Sequence, residues 1–417
     1  VFRLVDTWLR REFIPSLDAG ARVVLSSSEA PAAGWLSSPQ WRPYFVAVPL
    51  DPLPGSSPEQ RASSLLDTVT DTAMRSALES LSVVRRITRP MLASLCPDAD
   101  TDELYDAFAA LPFVESRRDG LALEKQVHHY LGDRLQAADP QRYRHHQQAA
   151  WRILQDQLRA APSADLWRFT ADVIYLIENP VIREAFFPSE AARFSVEPAM
   201  PGDIDTILAM TERHDGASAR GHMALWWKHL PGAFHVVRDS SGEAQGFYCM
   251  ATPDELDGEW LRFDPIARNW QRHLYRKGSA SVLPSLFLRR WLSVADGEAP
   301  CPEQAAAWVD VKRTYLELRP GLRRVYLTLR DIGPYGPVAT QLGFKVLDDL
   351  ATEIDNATYH SAMLDFGPGS VDGWICDLVA AELGIDDTQL LDPASRELRF
   401  NDNRISLTPL EFGVVSM

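Results

Sequence analysis

The alternation of short apolar strands with helices between residues 194 and 366 constrains this chain more than any other feature. Strands are predicted over 234–238, 246–251 and 324–329, and a helix over 302–318. Strands that alternate with helices bury a sheet beneath a helical layer, so this part is predicted to be a layered α/β domain. Residues before Glu190 are mostly helical in pattern. A chain of 417 residues exceeds the size of a single hydrophobic core, and we expect several domains.

Charge and cysteine content exclude several classes of protein. The chain has 42 Lys and Arg against 57 Asp and Glu, a net charge of −15, which argues against a protein that coats nucleic acid or an anionic membrane. Four cysteines lie far apart with no C-x-x-C pair, so we expect reduced thiols and no metal site. No apolar run is long enough to cross a bilayer. We therefore expect a soluble cytoplasmic protein without a membrane partner.

The C-terminal residues carry the start signal of a helix, and few residues follow it. Thr408-Pro409-Leu410-Glu411 combines an N-cap, a proline at the first helical position and a capping box. Only about two turns follow, and the chain begins at Val1, so we interpret it as a segment of a longer protein. Residues 390–417 resemble the start of an OmpR/PhoB-type winged-helix DNA-binding domain. The resemblance implies that the parent binds DNA through a later recognition helix, so the DNA-binding residues are unknown here.

The N-terminal residues carry a second resemblance. Residues 1–54, through Trp8–Pro15, the apolar stretch 22–25 and the segment 49–53, resemble the C-terminal part of a STAND-type (AAA-like P-loop) ATPase core. That implies ATP in the parent. No G-x-x-x-x-G-K-[ST] motif occurs in the chain, so this segment is expected to lack the phosphate cradle. Residues 55–140 are predicted to form a lid and winged-helix-like unit, and 141–190 a helical linker.

A third resemblance covers residues 191–366, which are similar to GNAT-type acyltransferases. It rests on the helix-to-strand junction Gln341-Leu342-Gly343-Phe344-Lys345-Val346-Leu347 and on Pro201-Gly202-Asp203. The family implies acetyl-CoA held by loop amides at a helix N-terminus, and a tyrosine as general acid. These roles map onto Gly297, Glu298, Ala299 and Gln304 for the cofactor and onto Tyr335 for the acid.

The loop over 296–304 departs from the family's Q/R-x-x-G-x-G/A pattern. It has one glycine, two prolines that lack an N–H, and carboxylates that repel phosphate. We therefore expect a degenerate sensor domain or scaffold, with Tyr335 as a core or rim residue. Two further groups of charges remain open. Asp310, Lys312, Arg313 and Glu317 are expected to form a solvated helix face, and Arg289-Arg290 to serve either a phosphorylated ligand or the surface.

The sequence thus predicts a multidomain α/β and α+β protein with a connector over 367–389 before the C-terminal winged helix. We expect a segment of a bacterial transcriptional regulator, controlled by an ATPase module and a GNAT-like sensor. Its expected partners are DNA, through the complete winged helix of the parent, and a small-molecule or acyl-CoA ligand, with a homo-oligomer left open. The alternative is an N-acyltransferase that moves an acyl group from acyl-CoA to an amine.

Overall fold

The structure is a computed structural model, and its contacts divide the chain into two compact units. One comprises Val1–Val48, Pro180–Gly373 and Leu390–Met417, and the other Pro49–Asn179 and Trp374–Gln389. The residues that the structure describes are 8–18, 20–26, 31, 34–35, 40–41, 43–49, 57–162, 165–188, 193–256, 259–275, 284–385, 391–392, 397–400 and 403–415.

The unit that contains residues 57–179 is mainly helical. Its helices begin at side-chain caps such as Ser57, Asp71, Thr88 and Asp100, each of which accepts a hydrogen bond from an amide of the first turn. In chain order the elements are α1 (Pro58–Asp67), α2 (Thr72–Leu81), α3 (Arg89–Leu95), α4 (Thr101–Ala109), β1 (Val114–Arg117), β2 (Gly120–Leu123), α5 (Lys125–Ala138), α6 (Pro140–Ala160) and α7 (Leu166–Tyr175).

The hairpin of β1 and β2 lies within residues 55–140, between the helices α4 and α5. The two strands pair antiparallel from Val114 opposite Leu123 to Arg117 opposite Gly120. A buried ion pair fastens this part of the unit, since Arg86 binds both Asp172 and Asp119. The wing-like hairpin is therefore held through Asp119 to the helix α7.

The second unit is built around one seven-stranded sheet. Its elements in chain order are α8 (Pro180–Phe186), β3 (Ser195–Pro198), α9 (Ile204–Asp215), α10 (Ala217–His229), β4 (Phe234–Arg238), β5 (Ala244–Ala251), α11 (Pro265–Tyr275), β6 (Ser285–Ser293), α12 (Pro302–Glu317), β7 (Arg324–Leu329), α13 (Gly336–Leu342), β8 (Lys345–Ile354) and β9 (Ala357–Asp365). The strand order is β3-β4-β5-β6-β7-β9-β8. Neighbouring strands pair antiparallel except β6 and β7, which are parallel and connected through α12.

One face of this sheet carries the main hydrophobic core. Helices α9, α10 and α11 contribute Ile207, Met223, Trp226 and Trp270, which pack with strand residues such as Phe287. Trp226 and Trp270 are fully buried.

On the opposite face, helix α12 corrects a prediction. Asp310 and Lys312 are only 3% and 5% exposed, so the expected solvated face is wrong for both. The reason is packing, because α12 contacts β5, β6 and α8. Tyr248 of β5 donates to Asp310 over 2.6 Å, and Lys312 donates to the carbonyl of Ala185 in α8. The predicted ion pair of Arg313 with Glu317 is present.

Two irregularities in β6 shape the functional region. The register between β5 and β6 shifts at Cys249 and Met250, because Arg289 is an extra residue there. Pairing between β6 and β7 ends at Leu288 opposite Leu327, although the strands continue to Ser293 and Leu329. A gap therefore opens between β6 and β7 at their carboxyl ends.

The remaining elements are α14 (Ser370–Leu383), β10 (Leu391–Asp392), β11 (Glu397–Phe400), β12 (Asn403–Ser406) and α15 (Pro409–Val415). The helix α14 is longer than the short helix predicted within the connector. The three strands form one antiparallel sheet, and Thr408 caps α15 with Glu411 as the sequence predicts. No helix among the residues the structure describes is both long and apolar enough to cross a membrane.

The apolar stretches 22–25 and 45–48 resemble short strands in sequence, but neither belongs to a ladder among the described residues, and Val24 is 92% exposed. The helix expected over 2–13 is described from Trp8 onward as the π-helical turn Leu9–Phe13 followed by the 3₁₀ turn Ile14–Ser16. Arg10 of this segment pairs with Glu197 of β3. The assignment of this region to an ATPase core stays a prediction.

Candidate functional site

A cavity of about 600 Å³ lies where β6 and β7 diverge. Five segments form its wall: the end of α9, strand β6, the loop after β6, the turn after β7 and the β8–β9 hairpin. The lining residues are His214, Asp215, Arg290, Leu292, Asp296, Gly297, Glu298, Arg330, Asp331, Asn356, Ala357, Thr358 and His360. Charged side chains dominate this wall, so it suits a polar ligand.

Arg290 is the central cation of the site. It is 2% exposed, and its Nε and Nη2 donate to the two carboxylate oxygens of Asp215 over 2.6 and 2.7 Å. Its Nη1 donates to Glu298. Burial alone would lower the pKa of Arg290, but Asp215 and Glu298 raise it above its ordinary value. This guanidinium therefore stays charged and is held in one orientation.

Glu298 bridges the open end of the gap between the strands. It lies in the loop after β6, yet its carboxylate accepts from the amides of Arg330 and Asp331, which follow β7, over 2.8 and 2.6 Å. With Arg290 as the third donor, three donors converge on one carboxylate that is 11% exposed. Charge-assisted bonds of this kind are among the strongest polar contacts in proteins.

Arg330 completes the charged cluster from the β7 side. Its Nη1 donates to the carbonyl of His214 over 2.5 Å and lies 3.3 Å from Asp215. The guanidinium carbons of Arg290 and Arg330 lie 5.7 and 5.8 Å from the ring of Tyr359. Both arginines thus contact the carboxylate of Asp215 and the ring of Tyr359.

The loop predicted to hold acetyl-CoA does not fit a pyrophosphate. The amides of Asp296, Ala299 and Gln304 already donate to Ser293 Oγ, Asp296 O and Cys301 Sγ. Pro300 and Pro302 have no N–H to offer. Asp296, Glu298 and Glu303 add negative charge beside the first turn of α12, where the helix dipole would otherwise favour an anion. The residues present therefore do not form the family's phosphate cradle.

Tyr335 directly precedes α13 and contacts the loop after β6. Its hydroxyl donates to the carbonyl oxygen of Glu298, and Trp291 Nε1 lies 3.4 Å from the same oxygen. Burial raises the pKa of Tyr335, so the phenol remains protonated at neutral pH. Its proton is already engaged in binding the loop.

The structure separates the predicted site residues into two groups. Gly297, Glu298 and Tyr335 lie together at the cavity or against its loop, while Ala299 and Gln304 hydrogen-bond within the segment that leads into α12. Gly297 has φ of +63°, and a side chain there would meet His214 Nδ1 at 2.9 Å. The glycine is thus required by the backbone and by the close approach of α9.

The neighbouring arginines Arg289 and Arg290 correct another expectation. Both are buried and bound to carboxylates, so neither the surface role nor a free phosphate-binding role holds. Sequence reasoning missed Asp215 and Arg330 altogether. Arg330-Asp331 follows directly on a buried strand, and this position of polar residues at a strand end was the available signal.

Metal-ligating atoms come together at one place among the described residues. Asp296, Cys301 and Glu303 each bring one ligand atom within 4.8 Å of the others. Structural zinc sites have four protein ligands, and this group offers three.

No protein-family profile matches the chain, and no curated protein matches it in sequence. Among solved structures, it is similar to a histone acetyltransferase HPA2-related acetyltransferase from Corynebacterium glutamicum, at 16% identity over 41% of this chain and 95% of that one, with a TM-score of 0.28. An agmatine N-acetyltransferase is similar at 11% identity over 41% and 99% of the chains, with a TM-score of 0.29. The spermidine/spermine N-acetyltransferase of Vibrio cholerae matches at 13% identity over 42% and 95%, with a TM-score of 0.25.

At these scores the likeness carries no argument. The mixed α/β architecture of the sheet domain agrees with the layered α/β domain predicted in this part of the chain. What the domain binds must be argued from its own residues.

Proposed function

We propose that the GNAT-like domain is a ligand-binding sensor that does not transfer acyl groups, within a regulatory protein. The observation that carries the proposal is the position of the Glu298 carboxylate. This carboxylate accepts hydrogen bonds from the amides after β7 and from the buried Arg290, at the open end of the gap between β6 and β7. It also faces the charged cavity. A cavity of this volume lies in the range of small-molecule sites.

Titration of acetyl-CoA and of CoA into the 417-residue chain tests this proposal. We expect no heat of binding up to about 1 mM ligand, which corresponds to a binding free energy weaker than about −4 kcal/mol. The physical reason is the loop of residues 296–304, whose amides donate internally and whose carboxylates repel phosphate. Micromolar binding of either ligand would overturn the proposal.

The second candidate is an N-acyltransferase that uses acyl-CoA and an amine. It is favoured by the divergence of β6 and β7 beyond Leu288 and Leu327, with the protonated phenol of Tyr335 nearby. Turnover of acetyl-CoA in the presence of amines, lost in Tyr335→Phe while binding is kept, would support it. The same assay without turnover in either protein would leave the sensor as the better interpretation.

The regulatory part of the proposal depends on the C-terminal residues. The three-stranded antiparallel sheet of β10, β11 and β12, followed by the capped helix α15, supports the resemblance to the start of an OmpR/PhoB-type winged helix. We propose that a protein containing the complete winged helix binds DNA. An electrophoretic shift assay with that protein should detect DNA binding that weakens steeply with salt, and silence at low salt would contradict this part.

A further inference from the structure

The donors that hold Glu298 form a built anion site. The amide of Arg330 lies 2.8 and 3.0 Å from the two carboxylate oxygens, and the amide of Asp331 lies 2.6 Å from one of them. The third donor is Arg290, which Asp215 fixes from its other edge. We call these three donors the carboxylate cradle. Its donors come from β6 and from the turn after β7, and Asp215 of α9 orients Arg290.

The occupant of the carboxylate cradle comes from a loop that can be displaced without unfolding a strand or helix. Residues 294–301 connect β6 to α12, and Glu298 is held there by its own carboxylate and by the bonds from Tyr335 and Trp291 to its carbonyl, while the carbonyl of the neighbouring Gly297 accepts from the amide of Ser293. The cavity of about 600 Å³ adjoins the cradle, since Arg290, Arg330 and Asp331 line its wall. A ligand in the cavity therefore needs only the departure of Glu298 to reach all three donors.

We propose that the carboxylate cradle is a binding site for a small organic carboxylate, and that Glu298 occupies it as an internal competitor until such a ligand replaces it. This inference rests on the proposed sensor function and names its ligand class. The exchange substitutes one carboxylate for another, so the three donors remain paired and Arg290 keeps its counter-charge. Glu298 moves into water, which lowers the cost of leaving the site.

The charges around the cradle favour a monocarboxylate over a phosphate. Asp296 and Asp331 line the same cavity and would repel a second negative charge. The two adjacent amides and the guanidinium also match the two coplanar oxygens of a carboxylate. In the intact chain the ligand must compete with a tethered carboxylate at high effective concentration, so removal of Glu298 should reveal the site.

Glu298→Ala in the 417-residue chain tests the proposal, with acetate as the probe. We expect the variant to unfold at a lower temperature than the unaltered chain, and acetate to raise its Tm by about 2 to 4 °C relative to chloride at equal ionic strength. The unaltered chain should show no such rise. Glu303→Ala is the matched control, because Glu303 lies five residues along the chain and outside the cradle; it should not respond to acetate.

Glu298→Gln keeps the side-chain shape and one acceptor oxygen, so it serves as the test protein if the alanine variant does not fold. Acetate should raise its Tm less than that of Glu298→Ala but more than that of Glu303→Ala. No specific rise in either Glu298 variant would overturn the proposal, and an equal rise with inorganic phosphate would overturn the carboxylate assignment. Acetyl-CoA binding to the unaltered chain, together with acetate rescue of Glu298→Ala, would reject the sensor function while leaving the cradle established.

Discussion

Two adjacent arginines on β6 have opposite surroundings. Arg289 binds Asp264 over 2.7 Å at a place where Asp264 is fully buried and also accepts from Trp226 and the amides of Ile266 and Ala267. Arg290 binds Asp215 with similar geometry, but its other neighbour, Glu298, belongs to a loop beside a cavity. The bulge at Cys249 and Met250 separates their partners.

A buried ion pair does not by itself mark a functional site. Burial would raise the pKa of Asp264, yet Arg289 holds that pKa below its ordinary value. The same carboxylate also accepts from the amide of Ile266 in the first turn of α11. The pair of Arg289 and Asp264 therefore serves folding. The cluster of Arg290 differs because one of its carboxylates can be exchanged.

The largest effect is expected from Arg289→Met. Removal of this arginine leaves Asp264 as an uncompensated buried charge, which should lower the free energy of unfolding by about 3–5 kcal/mol. Chemical denaturation measures the loss. Arg220→Met is the matched control, because Arg220 forms an exposed pair with Glu212 and should change stability by less than about 1 kcal/mol. A similar loss of unfolding free energy in both variants would contradict the expected difference between buried and exposed ion pairs.

A smaller loss is expected from Arg290→Met, about 1–3 kcal/mol in the free energy of unfolding. Asp215 keeps Arg330 as a partner, and Glu298 keeps two amides beside the cavity. Denaturation under the conditions used for Arg289→Met checks this. A loss as large as that of Arg289→Met would show that the two arginines are equivalent.

The third effect, a change of about 1 kcal/mol per pH unit, concerns Lys312, a buried cation that extends the comparison. Burial lowers the pKa of Lys312 to about 7, while its Nζ lies over Trp308 and Phe186 and donates to Ala185. Above pH 7 the folded chain binds fewer protons at this lysine than the unfolded chain. Its unfavourable contribution is therefore complete below pH 7 and falls as the pH rises toward 10.

Lys312→Met should accordingly be more stable than the unaltered chain near pH 6, with an advantage that shrinks between pH 7 and 10. Unfolding curves across this range measure the difference. Lys228→Met replaces an exposed lysine and should show no such trend. An advantage of Lys312→Met that stays constant with pH would contradict the lowered pKa.

Local signals predicted much of the sheet domain. The helix predicted over 302–318 is observed as Pro302–Glu317, and the strand predicted over 324–329 is observed at those residues. Pro at the helix start and the run of apolar residues in the strand are local features, so the sequence contains them directly. The helices α10 and α11 are not among the predicted elements.

The site depended on contacts that no local pattern contains. Asp215 meets Arg290 across 75 residues, and the register shift between β5 and β6 beside Arg290 is a property of the ladder between two strands. Asp310 was expected at the surface because its neighbours on α12 are charged, but the burial of α12 on β5 is decided by tertiary packing. The prediction that the loop at residues 296–304 is unsuited to phosphate rests on prolines and carboxylates that are visible in the sequence, and it stays a prediction.

The short pairing between β6 and β7 divides the sheet into two subsheets, β3–β6 and β7–β9–β8. A parallel ladder from Ser285 to Leu288 joins them at one end, and no ladder continues the pairing of these two strands toward Ser293 and Leu329 in the described residues. At the open end, the carboxylate of Glu298 is the bond that reaches from the β6 side to the backbone of the β7 side. One side chain thus replaces several main-chain hydrogen bonds, and its release would loosen the seam of the sheet without breaking a strand.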